Sequence, residues 1–270
     1  MLQNKNAIIY GAGGSLGGAV AKALAASGAK LFLTGRSIAS VKKLADEIRA
    51  AGGSADVAQV DALDANAIND HITQVVQQAG TIDISFNATG DKVVQNIPLV
   101  TMAVDDFMNP LKFMLKTQFL TATAAAKVMI KQGSGVILSL TATPGGIGYP
   151  YTGGFAPACA ALETFTSNLA AEIGAYGVRV VNMRSGGSPD SRIFKEASEK
   201  YPEEMKIVLG NMKADTMLKK LPLVADIANL AVFLSSDLAG KITGVTVDIT
   251  SGTTAGLNYR APGAFKNLIQ

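Results

Sequence analysis

The residues most suited to chemistry in this chain are a run of glycines near its start and the arginine that closes the next apolar segment. Apolar Ala7–Tyr10 leads into Gly11-Ala12-Gly13-Gly14-Ser15-Leu16-Gly17-Gly18, then alanine-rich Ala19–Ala26, a break at Gly28, and a second apolar run, Leu31–Thr34, closed by Gly35-Arg36. An apolar run, a tight turn and a helix of that length form one β-α-β unit, whose strands must lie parallel in one sheet with a right-handed crossover. The turn then faces the carboxyl edge of the sheet. Glycines there let the backbone approach a pyrophosphate, which sits on the N–H groups and positive dipole of the helix start. The plainer reading of the same residues is a sharp strand-to-helix connection without ligand. Two further reactive side chains carry little. Cys159 has no histidine near it in sequence and an apolar neighbourhood that keeps it a thiol. His71, the single histidine, lies on a polar helix and reads as a surface residue. No metal site is expected.

The elements that must position these residues follow in an unbroken alternation. Ile38–Ala51 carries Val41, Leu44, Ala45 and Ile48 at helical spacing, and Gly52-Gly53 ends it. Ala55–Val60 reads as a third strand, Ala65–Ala79 as a helix and Ile82–Ala88 as a fourth strand, each bounded by Asp, Asn or Gly. An apolar helix at Leu111–Lys131, a strand at Gly135–Leu140, a long helix at Phe155–Tyr176 and a strand at Arg179–Met183 come next. Gly186 to Pro222 differs in kind: rich in Lys, Glu and Met and without strand character, it reads as a mobile helical flap. Val224–Ser235 closes as a helix and Val245–Ile249 as a seventh strand. Repeated units of this kind predict an α/β fold, a single doubly wound parallel sheet of about seven strands flanked by helices, with ligand bound where strand order reverses.

Composition agrees with one domain spanning 1–270, with the flap at 187–221 and a C-terminal tail at 253–270. Of 270 residues 48% are apolar, enough for a large core, and no window approaches the uninterrupted apolar length of a membrane span. The start of the chain lacks the features of a secretion signal, and a single cysteine allows no internal disulfide, so a cytoplasmic protein is expected. A net charge of +3 with no basic block implies no nucleic-acid partner.

The chain resembles the short-chain dehydrogenase/reductase family. The likeness rests on the glycine turn, Asp61-Ala62 after the third strand, Asn87-Ala88 after the fourth, and Val178-Arg179-Val180 into the sixth. It continues through Ala225-Asp226-Ile227-Ala228 and Phe233-Leu234-Ser235-Ser236-Asp237 to Ile242-Thr243-Gly244, covering about residues 5 to 252. The resemblance implies a Rossmann-type sheet, a nicotinamide dinucleotide, a small-molecule substrate, and a homotetramer, or a homodimer, the tetramer being built through the last helix and strand. It places the cofactor on Gly11, Gly14, Ser15, Leu16, Gly17, Arg36, Ser37, Asp61, Ala62, Asn87, Ala88, Gly186 and Ser188. In the family's Thr-Gly-x-x-x-Gly-x-Gly turn, Tyr10 stands for the threonine and Ser15 for the middle glycine. NAD-selective members end the second strand with an acidic residue, whereas here Gly35 is followed by Arg36. A guanidinium holds a phosphate bidentately, so NADP(H) is the implied cofactor.

The family's catalytic groups are replaced. Aligned through Phe119-Leu120 and Met129, Met114 stands at the asparagine, Ala142 at the serine, Phe155 at the tyrosine thirteen residues on, and Cys159 at the lysine. None of these relays a proton at neutral pH. Substitute donors within reach are Tyr151, one helical turn before Phe155, and Thr141 beside Ala142; Tyr149 is a third hydroxyl, read with Tyr151 as pocket wall or subunit contact. Three functions stay open: a reductase whose substrate needs little protein acid, a non-catalytic dinucleotide-binding sensor or partner subunit, and a non-redox enzyme that shapes a reactive substrate. The flap is expected to be amphipathic, closing its apolar face over a mainly apolar ligand.

Overall fold

The computed structural model describes residues 1–255. Seven strands, β1 (Asn6–Tyr10), β2 (Lys30–Gly35), β3 (Ser54–Gln59), β4 (Ile84–Asn87), β5 (Gly135–Ala142), β6 (Val178–Ser185) and β7 (Thr246–Ile249), form one sheet. Its order is β3-β2-β1-β4-β5-β6-β7, and each neighbouring pair is parallel. Sequence order runs outward in both directions from the β1/β4 pair, so the crevice of a doubly wound sheet opens there.

Among the described residues six helices cover the two faces. On one side lie α1 (Ser15–Ala26), α2 (Ile38–Ala50) and, after the flap at 187–221, the lid, α8 (Val224–Ser235); on the other lie α3 (Ala65–Ala79), α4 (Val104–Gln132) and α5 (Phe155–Ile173). Strands buried on both faces carry apolar side chains without alternation, because successive residues meet different helix layers. Ile9, Leu31, Leu33 and Leu138 pack under α1, α2 and α8, while their neighbours Ile8, Phe32 and Ile137 pack under α3, α4 and α5. The lid holds α6 (Arg192–Lys200) and α7 (Pro202–Asp215).

Two elements differ from the sequence expectation. Helix α4 begins at Val104, not Leu111, and runs through Pro110. A proline inside a helix forfeits one backbone bond, at about 3 kcal/mol. Here Pro110 is buried, and its ring and the Phe107 carbonyl lie so close to the start of α5 that a Cβ on Gly154 has no room, so tertiary packing overrides the local signal. The other difference concerns His71, which is buried rather than on the surface. Ile68, His71, Ile72 and Val75 form the inward face of α3, and the polar composition of the helix concealed that spacing. Of the C-terminal tail expected at 253–270, residues 256–270 lie outside the described residues.

Candidate functional site

The glycine turn sits at the reversal of strand order. Gly11 has φ +74°, and a Cβ there would lie 2.8 Å from the backbone of Ala88 and Thr89, so the turn after β1 packs directly onto the chain leaving β4. Gly17 is held even more tightly, since its Cβ would stand 2.5 Å from the Gly11 carbonyl oxygen. Helix α1 starts at Ser15 after Gly14, and no side chain caps it. Its first amides are therefore left for an external acceptor, the arrangement that receives an anion. Leu16 packs against the core behind the turn, leaving Ser15 half-buried at its lip.

Around this turn lie the other residues expected to hold a dinucleotide. Arg36 and Ser37 are exposed just past β2, with the Arg36 carbonyl accepting from Gln59 Nε2 at 3.1 Å. A Cβ on Gly35 would meet Val41 Cγ2 at 2.9 Å, so a side chain at that strand end requires Val41 to move. Asp61 is exposed and accepts from the Leu63 amide, next to buried Ala62. Asn87 is buried at the end of β4, its Oδ1 accepting from both the amide and the hydroxyl of Thr89. Across the crevice, Gly186 presses against the Thr250 backbone. Ser188 is 4% exposed, and its hydroxyl has no partner among the described residues. An uncapped helix start lined by glycines, with an orphaned buried hydroxyl on the facing segment, fits a dinucleotide phosphate.

Of the four positions aligned with the family's catalytic groups, two meet at the end of β5, a third lies one turn away on α5, and the fourth is on α4. Cys159 is completely buried on α5; burial pushes its thiol up to about 11, with the backbone N–H of Ala142 acting weakly in the opposite direction. Ala142 and Cys159 are thus neighbours. Phe155 is half-buried one turn earlier on α5, and Met114 is half-buried on α4, two turns beyond the Phe107 that packs against Gly154. The surface they form is apolar. Tyr151 is exposed and held by its backbone, with φ +62° and a carbonyl accepting from the Asn96 amide at 2.8 Å. Thr141 is buried and fully engaged: it donates to Glu163 Oε1 at 2.8 Å and accepts from Asn182 Nδ2 at 2.7 Å.

That Thr141 contact belongs to a polar network the sequence reading missed. Arg184 on β6 donates through Nε to Glu163 Oε1 at 3.0 Å, through Nη2 to Glu163 Oε2, and through Nη1 to Asp248 on β7 at 2.9 Å. Both Glu163 and Arg184 side chains are only 13% exposed, and the Glu163 contact holds the guanidinium pKa above its ordinary value. Asn182 extends the chain to Ser139, whose hydroxyl meets Thr166. The signal lay in the spacing. Phe155, Cys159 and Glu163 recur every four residues on α5, and Ser139 and Thr141 alternate on β5 as Asn182 and Arg184 do on β6. A Cβ on Gly145 would stand 2.6 Å from Glu163 Oε1 and one on Gly146 2.6 Å from Arg184 Nη1, so the loop after β5 lies directly over the pair.

The lid does not close its apolar side chains away. Phe194 and Met212 fold back onto the lid's own root at Gly187, while Ile193, Tyr201 and Ile207 remain exposed. Neither α6 nor α7 buries a residue completely. The segment therefore leaves much of its apolar surface open.

Comparison with known proteins places this geometry. A family model described as enoyl-(acyl carrier protein) reductase matches residues 11–254. The 3-oxoacyl-[acyl-carrier-protein] reductase FabG of Staphylococcus aureus is 28% identical over 255 residues, covering 93% of this chain and 99% of that protein. An uncharacterised oxidoreductase of Thermotoga maritima is 31% identical over 255 residues, covering 94% and 98%. The solved structure of levodione reductase superposes with a TM-score of 0.87 at 26% identity, covering 95% of this chain and all of that one. Among the described residues no helix is long and apolar enough to cross a membrane. With a family model matched over nearly its whole length, a seven-stranded parallel sheet and a glycine cradle at the strand reversal, the chain belongs to the short-chain dehydrogenase/reductase family of oxidoreductases, which bind nicotinamide dinucleotides.

Proposed function

We propose that this protein is an NADP(H)-dependent reductase that acts on a small, mainly apolar substrate without the proton relay usual in its family. The observation that carries the reading is the contrast between the close-packed glycine turn before an uncapped helix α1 and the side chains Met114, Ala142, Phe155 and Cys159 at the positions aligned with the relay. Arg36 and Ser37, exposed beyond a strand end that Gly35 leaves bare, suit a ribose phosphate: a guanidinium offers it two parallel N–H donors. The glycine turn and the α1 amides would hold the pyrophosphate, Asp61 and Asn87 would border the adenine half, and Ser188 would meet the cofactor from the lid side. When bound, the cofactor supplies hydride chemistry.

The chain's own residues then bind, orient and exclude water. A buried thiol with a pKa near 11 stays protonated and uncharged at neutral pH, and the Thr141 hydroxyl is already committed as a hydrogen-bond donor to Glu163. Tyr151 and Tyr149 are phenols in the loop before Phe155, both exposed and without a lysine next to them in sequence. The substrates that suit such a site are those that need no protein acid, such as an iminium, or an activated alkene that takes its proton from water. That no group at the aligned positions titrates near neutral pH also favours a second reading, a dinucleotide-binding subunit without turnover. An oligomer built through α8 and β7 accords with an edge strand that has no outer neighbour among the described residues and is flanked by exposed Phe233, Leu238 and Val245.

Calorimetry and a turnover panel test this. NADPH should bind about tenfold to a hundredfold more tightly than NADH. Equal affinities overturn the NADP(H) assignment, and no binding of either overturns the cofactor reading. Ketones should turn over about 10²–10⁴ more slowly than a general acid would allow. Ketone turnover in the ordinary enzymatic range refutes the mechanism, and failure with alkenes and imines alike selects the second reading.

A further inference from the structure

We propose that Ser15 is a positioning residue that latches the lid to the phosphate turn and so couples dinucleotide binding to lid order; the coupling, though not the latch, rests on the cofactor reading above. The Arg192 amide, first in helix α6, donates to Ser15 Oγ at 3.1 Å across 177 residues of sequence. An amide in the first turn of a helix has no partner within the helix, so this hydroxyl supplies the acceptor that Arg192 otherwise lacks. Ser15 is itself the first residue of α1 and stands where the family's turn carries a glycine. The side chain that departs from the family motif is therefore the one that touches the lid.

The rest of the lid's root is already fixed. Asp190 accepts from the Val224 amide at 3.0 Å and pins the start of the lid to the start of α8. The Leu218 amide donates to the Ser251 carbonyl at 3.2 Å and holds the far end. Between these anchors α6 and α7 bury no residue fully, so the Ser15 contact is what ties α6 to the cofactor cradle.

A hydroxyl accepts and donates at once. With its oxygen engaged by Arg192, the Ser15 proton has no acceptor among the described residues, and it belongs to the turn that receives the pyrophosphate. A phosphate oxygen accepting that proton polarises the hydroxyl and strengthens its bond from Arg192, as consecutive hydrogen bonds do. Whatever factor the cofactor adds to the latch, the latch returns to cofactor affinity, because coupling between two binding events is reciprocal.

The test combines amide exchange by NMR with NADPH calorimetry on wild type, Ser15→Ala and Ser15→Thr, all of the full chain. Without cofactor, the Arg192 amide should exchange about threefold to tenfold faster in Ser15→Ala, the factor for one hydrogen bond, and Ser15→Thr should restore it. NADPH should slow exchange at Arg192 in wild type and Ser15→Thr but not in Ser15→Ala, whose NADPH Kd should rise by a comparable factor. An unchanged Arg192 amide in cofactor-free Ser15→Ala overturns the latch. Equal slowing by NADPH in wild type and Ser15→Ala overturns the coupling. If wild type binds no NADPH, the cofactor reading fails and the coupling with it, while the cofactor-free comparison still decides the latch.

Discussion

Removing the Glu163 carboxylate should cost this protein more than any other single exposed or half-exposed charge. Glu163 accepts from Arg184 through two nitrogens and from Thr141, and both members of the pair are 13% exposed. Glu163→Ala leaves the guanidinium in the same place with Asp248 as its one carboxylate, itself 35% exposed, and leaves the Thr141 proton without an acceptor. Breaking a buried pair from one side costs about 3–5 kcal/mol, because the surviving charge stays desolvated. Asp248 and the residual exposure place this case at the lower end, about 3 kcal/mol. At about 2–4 °C per kcal/mol for a domain of this size, Tm should fall by about 6–12 °C. The reasoning makes a second demand. If the cost is the orphaned charge and not lost packing, Glu163→Leu combined with Arg184→Met should be less destabilising than Glu163→Ala alone. Thermal and urea unfolding followed by circular dichroism measure both. A Tm for Glu163→Ala within about 2 °C of wild type, or a double variant at least as unstable as the single, would refute it.

Three further outcomes are expected. Arg36→Ala should weaken NADPH binding about tenfold or more while leaving NADH unchanged, and the difference should shrink with added salt because the side chain is exposed; calorimetry at two ionic strengths reads it. Burial lowers the His71 pKa from 6.5 to about 4, so the unfolded chain takes up a proton that the folded one refuses. Stability should therefore fall as pH drops from 6.5 towards 4, by up to about 1.4 kcal/mol per pH unit, and His71→Leu should flatten that slope in urea titrations; an unchanged slope counts against a neutral buried imidazole. Cys159, fully buried with its thiol near 11, should resist iodoacetamide in the native protein at pH 8 and react once unfolded, which mass spectrometry distinguishes.

The sequence by itself determined the fold. Alternating apolar runs and helical periodicities name the strands and helices, and parallel β-α-β chirality leaves few ways to order them, so the glycine turn had to face the carboxyl edge at a strand reversal. The place of Gly11, Gly17, Asn87 and Ala88 at the strand reversal was legible for the same reason: local backbone demands are written in residue type. Ser15 was legible only as a departure from a motif, because the lid amide it binds is 177 residues away.

The tertiary structure decided what depends on who faces whom. His71 and Pro110 look polar and helix-breaking in isolation, yet one lies on the inward face of α3 and the other is buried where α4 meets the start of α5. Thr141, a free hydroxyl on paper, donates its hydrogen bond to a carboxylate 22 residues on. Glu163, Arg184 and Asp248 come from three separate elements, and spacing along each shows which face its residues share but not which residues pair across them. Helix and strand signals survive reading along the chain because their interactions are local. Charge pairing, burial and hydrogen-bond partners arise between segments brought together only by folding, and those were settled by the packing of the helices on the sheet and on one another.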